Sequence, residues 1–192
     1  MDIAAEKIIL RKHFKELRGS IDVATHAQSS TVACQNAATL LTTLNITNCA
    51  IYHPINSEIS PLALPSLMPN VAFGLPCLHD GGMIFSEWCG EAELVQGQYG
   101  IMQPKQFSHL TPQVIITPLL AIDETGVRLG YGGGYYDRYF AAHPQAIRIG
   151  IGFIAQLTHE LPHEWYDLSL HYFISEQSTW PLLSRSFDLR FC

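Results

Sequence analysis

The stretch Arg128-Leu129-Gly130-Tyr131-Gly132-Gly133-Gly134-Tyr135-Tyr136-Asp137 limits what this chain can fold into more than any other. Four of its ten residues are glycine, and three of those are consecutive. The interior of a helix or strand does not accommodate such a run, because each glycine loses much backbone entropy and packs nothing. The segment is a loop whose bare N–H groups approach something closely. From Tyr135 to Phe140 there is no breaker, so the loop opens a helix. A glycine loop at a helix start suits an anion, since orphan N–H donors and the positive dipole end meet there. Arg128 adds a fixed positive charge, and Asp137 in the first turn is a candidate metal ligand beside a phosphate. The spacing is not that of a Walker loop, which needs Gly-Lys-Ser/Thr, nor of the dinucleotide fingerprint, whose third glycine is missing. A plain glycine-rich turn, with Asp137 complementing the helix dipole, is the alternative reading.

At 192 residues, one domain with a sizeable core is expected. A net charge of −6 without a basic block argues against a nucleic-acid partner, so any anionic ligand is held by local positive charge. The cysteines (Cys34, Cys49, Cys77, Cys89, Cys192) are odd in number and lack C-x-x-C spacing; with no signal peptide, they read as reduced thiols of a cytoplasmic protein. No apolar run reaches membrane-spanning length.

Apolar spacing predicts a helix over 3–18, with Ile3, Leu10, Phe14 and Leu17 on one face. Lys7, Arg11, Lys15 and Arg18 form a stripe beside it, which reads either as solvated charges with stems covering the core edge or as a site-facing row. A second helix is predicted over 28–44, burying Ala33, Ala37, Leu40, Leu41 and Leu44. Strands are expected at 49–52, at 71–75 with Pro76 closing it, at 83–85, 114–117, 147–154 and 172–174. Residues 61–67 suit a short helix, with Pro61 in its first turn. Residues 88–112 read as irregular, 127–129 as the lead into the glycine loop, and 135–142 as helix. Strands alternating with helices predict a parallel sheet with crossovers, and a ligand crevice at the C-terminal strand ends. Glu58 lies in a loop at one such end, either as a ligand group or as a helix-dipole partner. His159-Glu160-Leu161-Pro162-His163 matches H-E-x-x-H, but Pro162 would break the helix a zinc site needs.

The glycine stretch resembles the R-L-G-x-G-x-G-[YF]-Y-D signature of the 5-formyltetrahydrofolate cyclo-ligase family. Weaker matches keep the same order: Lys7-x-x-x-Arg11, Glu58-Ile59, Gly100-Ile101 with Pro104, Thr117-Pro118-Leu119 with Asp123, Gly150-Ile151-Gly152-Phe153 with Gln156, and Leu161-Pro162-x-Glu164-x-x-Asp167. The resemblance runs over about residues 7–175. It implies one three-layer α/β domain over 1–176, with a largely parallel mixed sheet and helices on both faces, similar to the sugar-isomerase/CoA-transferase-like fold. Residues 177–192 are left as an extension of unknown role. It implies a monomeric enzyme that uses ATP and Mg²⁺ to convert 5-formyltetrahydrofolate to 5,10-methenyltetrahydrofolate, ADP and phosphate.

By position, Lys7 and Arg11 would contact ATP phosphates, with Arg128, Leu129, Gly130, Tyr131, Gly132, Gly133, Gly134, Tyr135 and Tyr136 holding the triphosphate. His53, Glu58 and Gly132 to Tyr135 would border the folate. Asp137 and Asp167 would hold Mg²⁺, and Arg128, Tyr135 and Asp137 would carry the catalysis. The chain departs from the family pattern at Ser60-Pro61, at Gly133 where some members carry lysine, at Gln103, and at His171 in place of an aspartate. The substitutions at 60, 61 and 171 motivate a rival reading: a folate- or nucleotide-binding member without turnover.

Overall fold

A computed structural model describes residues 2–79 and 81–182. Helices α1 (Ile3–Gly19) and α2 (Val23–Thr43) come first. They are followed by β1 (Asn48–Ala50), the one-turn α3 (Leu64–Leu67), and the hairpin of β2 (Ala72–His79) and β3 (Gly82–Glu87). Short strands β4 (Leu94–Gln96), β5 (Met102–Pro104) and β6 (His109–Leu110) lead to β7 (Val114–Thr117), β8 (Ala121–Asp123) and β9 (Arg128–Leu129). Helix α4 (Tyr135–Ala142) precedes β10 (Ile147–Ile151), β11 (Leu157–Thr158), β12 (Tyr172–Ile174) and β13 (Thr179–Pro181).

Eight strands form one sheet in the order β13-β12-β10-β7-β1-β2-β3-β6. The run from β12 to β2 is parallel, and β13, β3 and β6 join antiparallel at the edges. Parallel strands covered on both faces are apolar throughout, and all four residues of β7 are buried. Val114 and Ile116 pack in the cluster that α2 covers with Ala33, Cys34, Ala37 and Leu41. Ile115 belongs to the opposite cluster, with Tyr139 and Phe140 of α4. The domain is therefore three-layered, as the sequence implied. A smaller core joins Phe14 of α1 to Leu120, Val127, Leu129 and Leu161 around the little sheet β11-β8-β9.

Several boundaries differ from expectation, among them α3, which starts at Leu64 rather than 61, and β1, which ends at Ala50 rather than 52. Helix α2 starts at Val23 rather than 28, because the Asp22 side chain caps it by accepting from the N–H groups of Ala24 and Thr25. Pro76 does not close β2, which runs on to His79. The carbonyl of Gly74 faces β1, where it accepts from Ile51, so by the period of two the nitrogen of Pro76 faces that side as well. β1 pairs only with 72–74, so no ladder bond is lost there. The 88–112 segment holds the β4–β5 hairpin and β6, strands of two or three residues that are too short to show alternation. β10 ends at Ile151, and buried Gln156 folds a 3-10 turn by accepting from the Phe153 N–H and donating to the Leu119 and Leu120 carbonyls. Residues 179–181 of the predicted extension pair with β12 as β13, whereas 183–192 lie outside the described residues.

Candidate active site

The chain leaves β1 through α3 to β2 on one face of the sheet, and leaves β7 through α4 to β10 on the other. Adjacent parallel strands whose crossovers diverge leave a crevice at their C-terminal ends. A cleft of about 770 Å³ lies there, and it gathers every residue the sequence analysis singled out as a ligand contact: Lys7, Arg11, His53, Glu58, the whole run Arg128–Asp137 and Asp167.

The glycine loop follows directly from β9. Buried Asp123 fixes the turn before it, accepting from Thr125, Val127 and, across the molecule, the N–H of Leu161. Gly132 (φ 97°) and Gly134 (φ 66°) take left-handed backbone, which glycine adopts without steric cost. Gly134 is the N-cap of α4. Among the described residues, the N–H groups of Tyr131 to Asp137 donate to no protein acceptor. Two arginines hold carbonyls of the loop. Arg11 Nε donates to the Gly130 carbonyl at 2.9 Å, and Arg138 Nη1 to the Gly133 carbonyl at 3.1 Å. In a trans peptide the C=O and the next N–H point in opposite directions, so the N–H groups of Tyr131 and Gly134 are turned away from those arginines. Acceptor-free N–H donors at a helix start, with left-handed glycines between them, suit an anion.

Arg128 is wedged between the end of β7 and α4, with only 6% of its side chain exposed. Its Nη1 donates to Thr117 Oγ1 and the Pro118 carbonyl, and its guanidinium lies 5.2 Å from the Tyr136 ring centroid. Nη2 reaches Asp137 Oδ1 at 3.2 Å, whereas Asp137 Oδ2 takes no hydrogen bond among the described residues. Lys7 of α1 donates to Asp167 Oδ2, which also accepts from the Glu164 N–H. Asp167 Oδ1 is left without a bond among the described residues.

Glu58 is 3% exposed yet lines the cleft. Its Oε2 accepts from the Ile55 N–H at 2.8 Å and its Oε1 from the Tyr131 hydroxyl at 2.7 Å. Burial raises its pKa, and the Ile55 N–H, Tyr131 and Arg18 oppose that rise. Burial, and then Glu58, push the Tyr131 hydroxyl above its ordinary range, and burial first does the same to Tyr52 and Tyr136. These phenols are therefore neutral donors or acceptors here. One wall of the cleft is apolar, formed by Pro76, Leu78, Met83 and Ile101. Tyr99, 78% exposed and with φ 55°, also lines the cleft, its hydroxyl 3.4 Å from that of Tyr135.

Sequence reasoning missed Arg18, Tyr99 and this apolar wall. Arg18 stood at the end of the basic stripe, and its i, i+7 spacing from Arg11 was the available signal. His171 does not line the cleft; both its ring nitrogens face Arg148, at 3.0 and 3.1 Å. The aspartate it replaces in the family pattern is thus not missing from this cleft. Residues 159–163 form no helix, and His159 faces Glu124 at 3.4 Å. Among the described residues, no group of three or more His, Cys, Asp or Glu side chains is arranged to hold a metal, and no helix is long and apolar enough to cross a membrane.

Fold and cleft together define an α/β protein with a switch-point ligand site built on a glycine loop. The family model for the 5-formyltetrahydrofolate cyclo-ligase family matches residues 3–176. The chain belongs to that family. It is 31% identical over 173 residues to the 5-formyltetrahydrofolate cyclo-ligase of Haemophilus influenzae, covering 84% of this chain and 92% of the relative. To the enzyme of that name from Escherichia coli K12 it is 35% identical over 116 residues, 55% of this chain and 64% of the other. The NMR structure of Aquifex aeolicus 5,10-methenyltetrahydrofolate synthetase is similar with a TM-score of 0.81 and 26% identity, over 92% of each chain. The synthetase from Mycoplasma pneumoniae shares the fold, with a TM-score of 0.72 at 22% identity over 92% of this chain and 99% of the other.

Proposed function

We propose that this protein is an ATP- and Mg²⁺-dependent 5-formyltetrahydrofolate cyclo-ligase, with residues 1–176 as the working unit. The observation that carries the reading is the row of acceptor-free N–H groups from Tyr131 to Asp137, opening α4 beside Arg128 in the cleft that also holds Glu58.

The chemical obstacle is that a formamide oxygen is a poor leaving group. The formyl oxygen attacks the γ-phosphorus of ATP and ADP departs; N10 then adds to the activated carbon, loses its proton, and phosphate leaves with the former formyl oxygen. Both nucleophiles belong to the substrate, so the protein's task is to position two anions and neutralise moving charge. In this reading the glycine-loop N–H groups, Lys7 and Arg11 take the phosphates, and Arg128 meets charge developing at the transferred group. Glu58, which only accepts, takes the N–H edge of the pterin, with His53 and the apolar wall beside it.

The lining fits a divalent cation as well as an anion. Glu58, Asp137, Glu164 and Asp167 line the cleft together with Lys7, Arg11 and Arg128, and Arg18 stands beside Glu58. Asp137 Oδ2 and Asp167 Oδ1 are open acceptors, and Mg²⁺ is commonly held by one or two carboxylates together with substrate phosphates. Bound there, Mg²⁺ would supply charge neutralisation between phosphate oxygens.

The test mixes purified protein with 5-formyltetrahydrofolate, Mg²⁺ and ATP and follows the near-ultraviolet absorbance of the methenyl product alongside ADP. Product that needs ATP and matches ADP one to one is expected. Binding of both ligands without ADP would instead favour the non-catalytic family member, a reading suggested by the pairing of Asp137 and Asp167 with Arg128 and Lys7.

A further inference from the structure

Arg18 is the last basic residue of α1, and only 2% of it is exposed. A guanidinium taken out of water is costly unless its donors are used, and this one reaches three segments that form the cleft. Nη2 donates to the Tyr131 hydroxyl at 2.6 Å, Nε to Ser57 Oγ at 3.3 Å, and Nη1 to the Leu119 carbonyl at 3.4 Å, just past β7. Nη1 stands 3.8 Å from Glu58 Oε1, and Tyr131 passes its own hydroxyl hydrogen to that same oxygen at 2.7 Å. With Arg18 donating to it, the Tyr131 oxygen has its proton free for Glu58 alone.

We propose that Arg18 is a positioning residue for the folate subsite: by donating to Tyr131 and standing beside Glu58, it keeps the Glu58 carboxylate an acceptor aimed into the cleft. This rests on the folate reading above. The Ile55 N–H also favours the ionised carboxyl, and as a backbone donor it remains in every side-chain variant; the other side chains facing Glu58 do not supply the same help. Tyr52 and Tyr136 are neutral phenols, and His26 of α2 meets only the backbone carbonyl of Glu58. Lys15 lies over the Tyr131 ring, 5.4 Å from its centroid, and Arg128 is turned to Tyr136. Burial favours a protonated Glu58, so without Arg18 the carboxyl keeps its proton to higher pH and presents a donor where an acceptor is required.

The experiment compares wild type, Arg18→Met, Arg18→Lys and Tyr131→Phe, each checked for fold by circular dichroism. Infrared spectra at neutral pH look for the protonated-carboxyl band that Glu58→Gln abolishes. The band is expected in Arg18→Met and Tyr131→Phe, and reduced or absent in wild type and Arg18→Lys. Titration with 5-formyltetrahydrofolate should show affinity about tenfold weaker at neutral pH in Arg18→Met, recovering under mildly alkaline conditions, with ATP affinity unchanged. If Arg18→Met does not fold, Tyr131→Phe carries the same comparison. Spectra identical to wild type, or ATP and folate affinities falling together without pH dependence, overturn the proposal. Wild type that binds no folate sinks the folate reading, and the infrared comparison still decides whether Arg18 controls Glu58.

Discussion

Arg128 Nη2 and Asp137 Oδ1 stand 3.2 Å apart, so the cation that opens β9 and the carboxylate in the first turn of α4 hold each other across the glycine loop. The pair spans the loop like a buckle and fixes where α4 begins relative to β9. A phosphate arriving at the loop meets a guanidinium already oriented by Thr117, Pro118 and Asp137, with little entropy left to lose.

Asp137→Asn keeps the shape and removes the charge. Its contribution to the helix dipole is only about 0.3–1 kcal/mol, so stability changes little. kcat/KM for ATP is expected to fall about 100-fold or more, with a higher Mg²⁺ requirement, as steady-state kinetics at varied Mg²⁺ will read. A variant that is unfolded by circular dichroism would make Asp137 structural instead.

Lys7→Met breaks the contact with Asp167 that ties α1 to the 164–167 turn. Lost charge-assisted bonds to a phosphate predict ATP affinity weaker by about 10- to 100-fold. Folate affinity should stay near wild type. Calorimetric titration of each ligand separates the two, and equal losses would count against Lys7 as a nucleotide contact.

Gly134→Ala forces a side chain into left-handed backbone at the start of α4, at about 1–2 kcal/mol. The new Cβ would also lie 2.7 Å from Arg138 Nη1, the group that holds the Gly133 carbonyl. For a chain of this size the melting temperature should drop by about 2–8 °C. Nucleotide binding should weaken beyond what that loss explains, because the N–H groups turn with the loop. Unchanged ATP affinity in the folded variant would remove the loop from the nucleotide site.

His171 has its pKa lowered to about 4, first by burial and then by Arg148. Unfolded, it titrates near 6.5, so between those values the unfolded chain binds a proton the folded one refuses. Stability should therefore decline as pH falls from about 6.5 towards 4. His171→Gln should flatten that part of a melting-temperature profile while leaving turnover at neutral pH intact. A profile of unchanged slope would rule out this residue as its source.

Much of the site was legible because its chemistry is local in sequence. The loop and α4 follow from consecutive glycines and the breaker-free run after them, and β7 from three adjacent aliphatic residues followed by Thr117. What escaped depends on contacts distant in the chain. Arg18 is charged and lies beside Lys15, so periodicity alone reads a solvated stripe; Tyr131 and Glu58, 113 and 40 positions away, bury it. Pro76 looked like a terminator because the early end of β1 is invisible from β2's own sequence. Tyr99 sits in a hairpin whose strands are three residues long, below the length at which alternation is visible.

Helix α1 leaves the ribosome well before the partners that hold it. Lys7 waits for Asp167, 160 residues downstream, and Arg11 for Gly130, 119 downstream. At translation rates of about 5–20 residues per second, that delay is on the order of ten to thirty seconds. Until Leu129 is made, the apolar face around Phe14 has no β9 to cover it. A nascent chain halted before the glycine loop should therefore expose α1 to protease or chaperone, and release past residue 167 should bring protection and the finished cleft together.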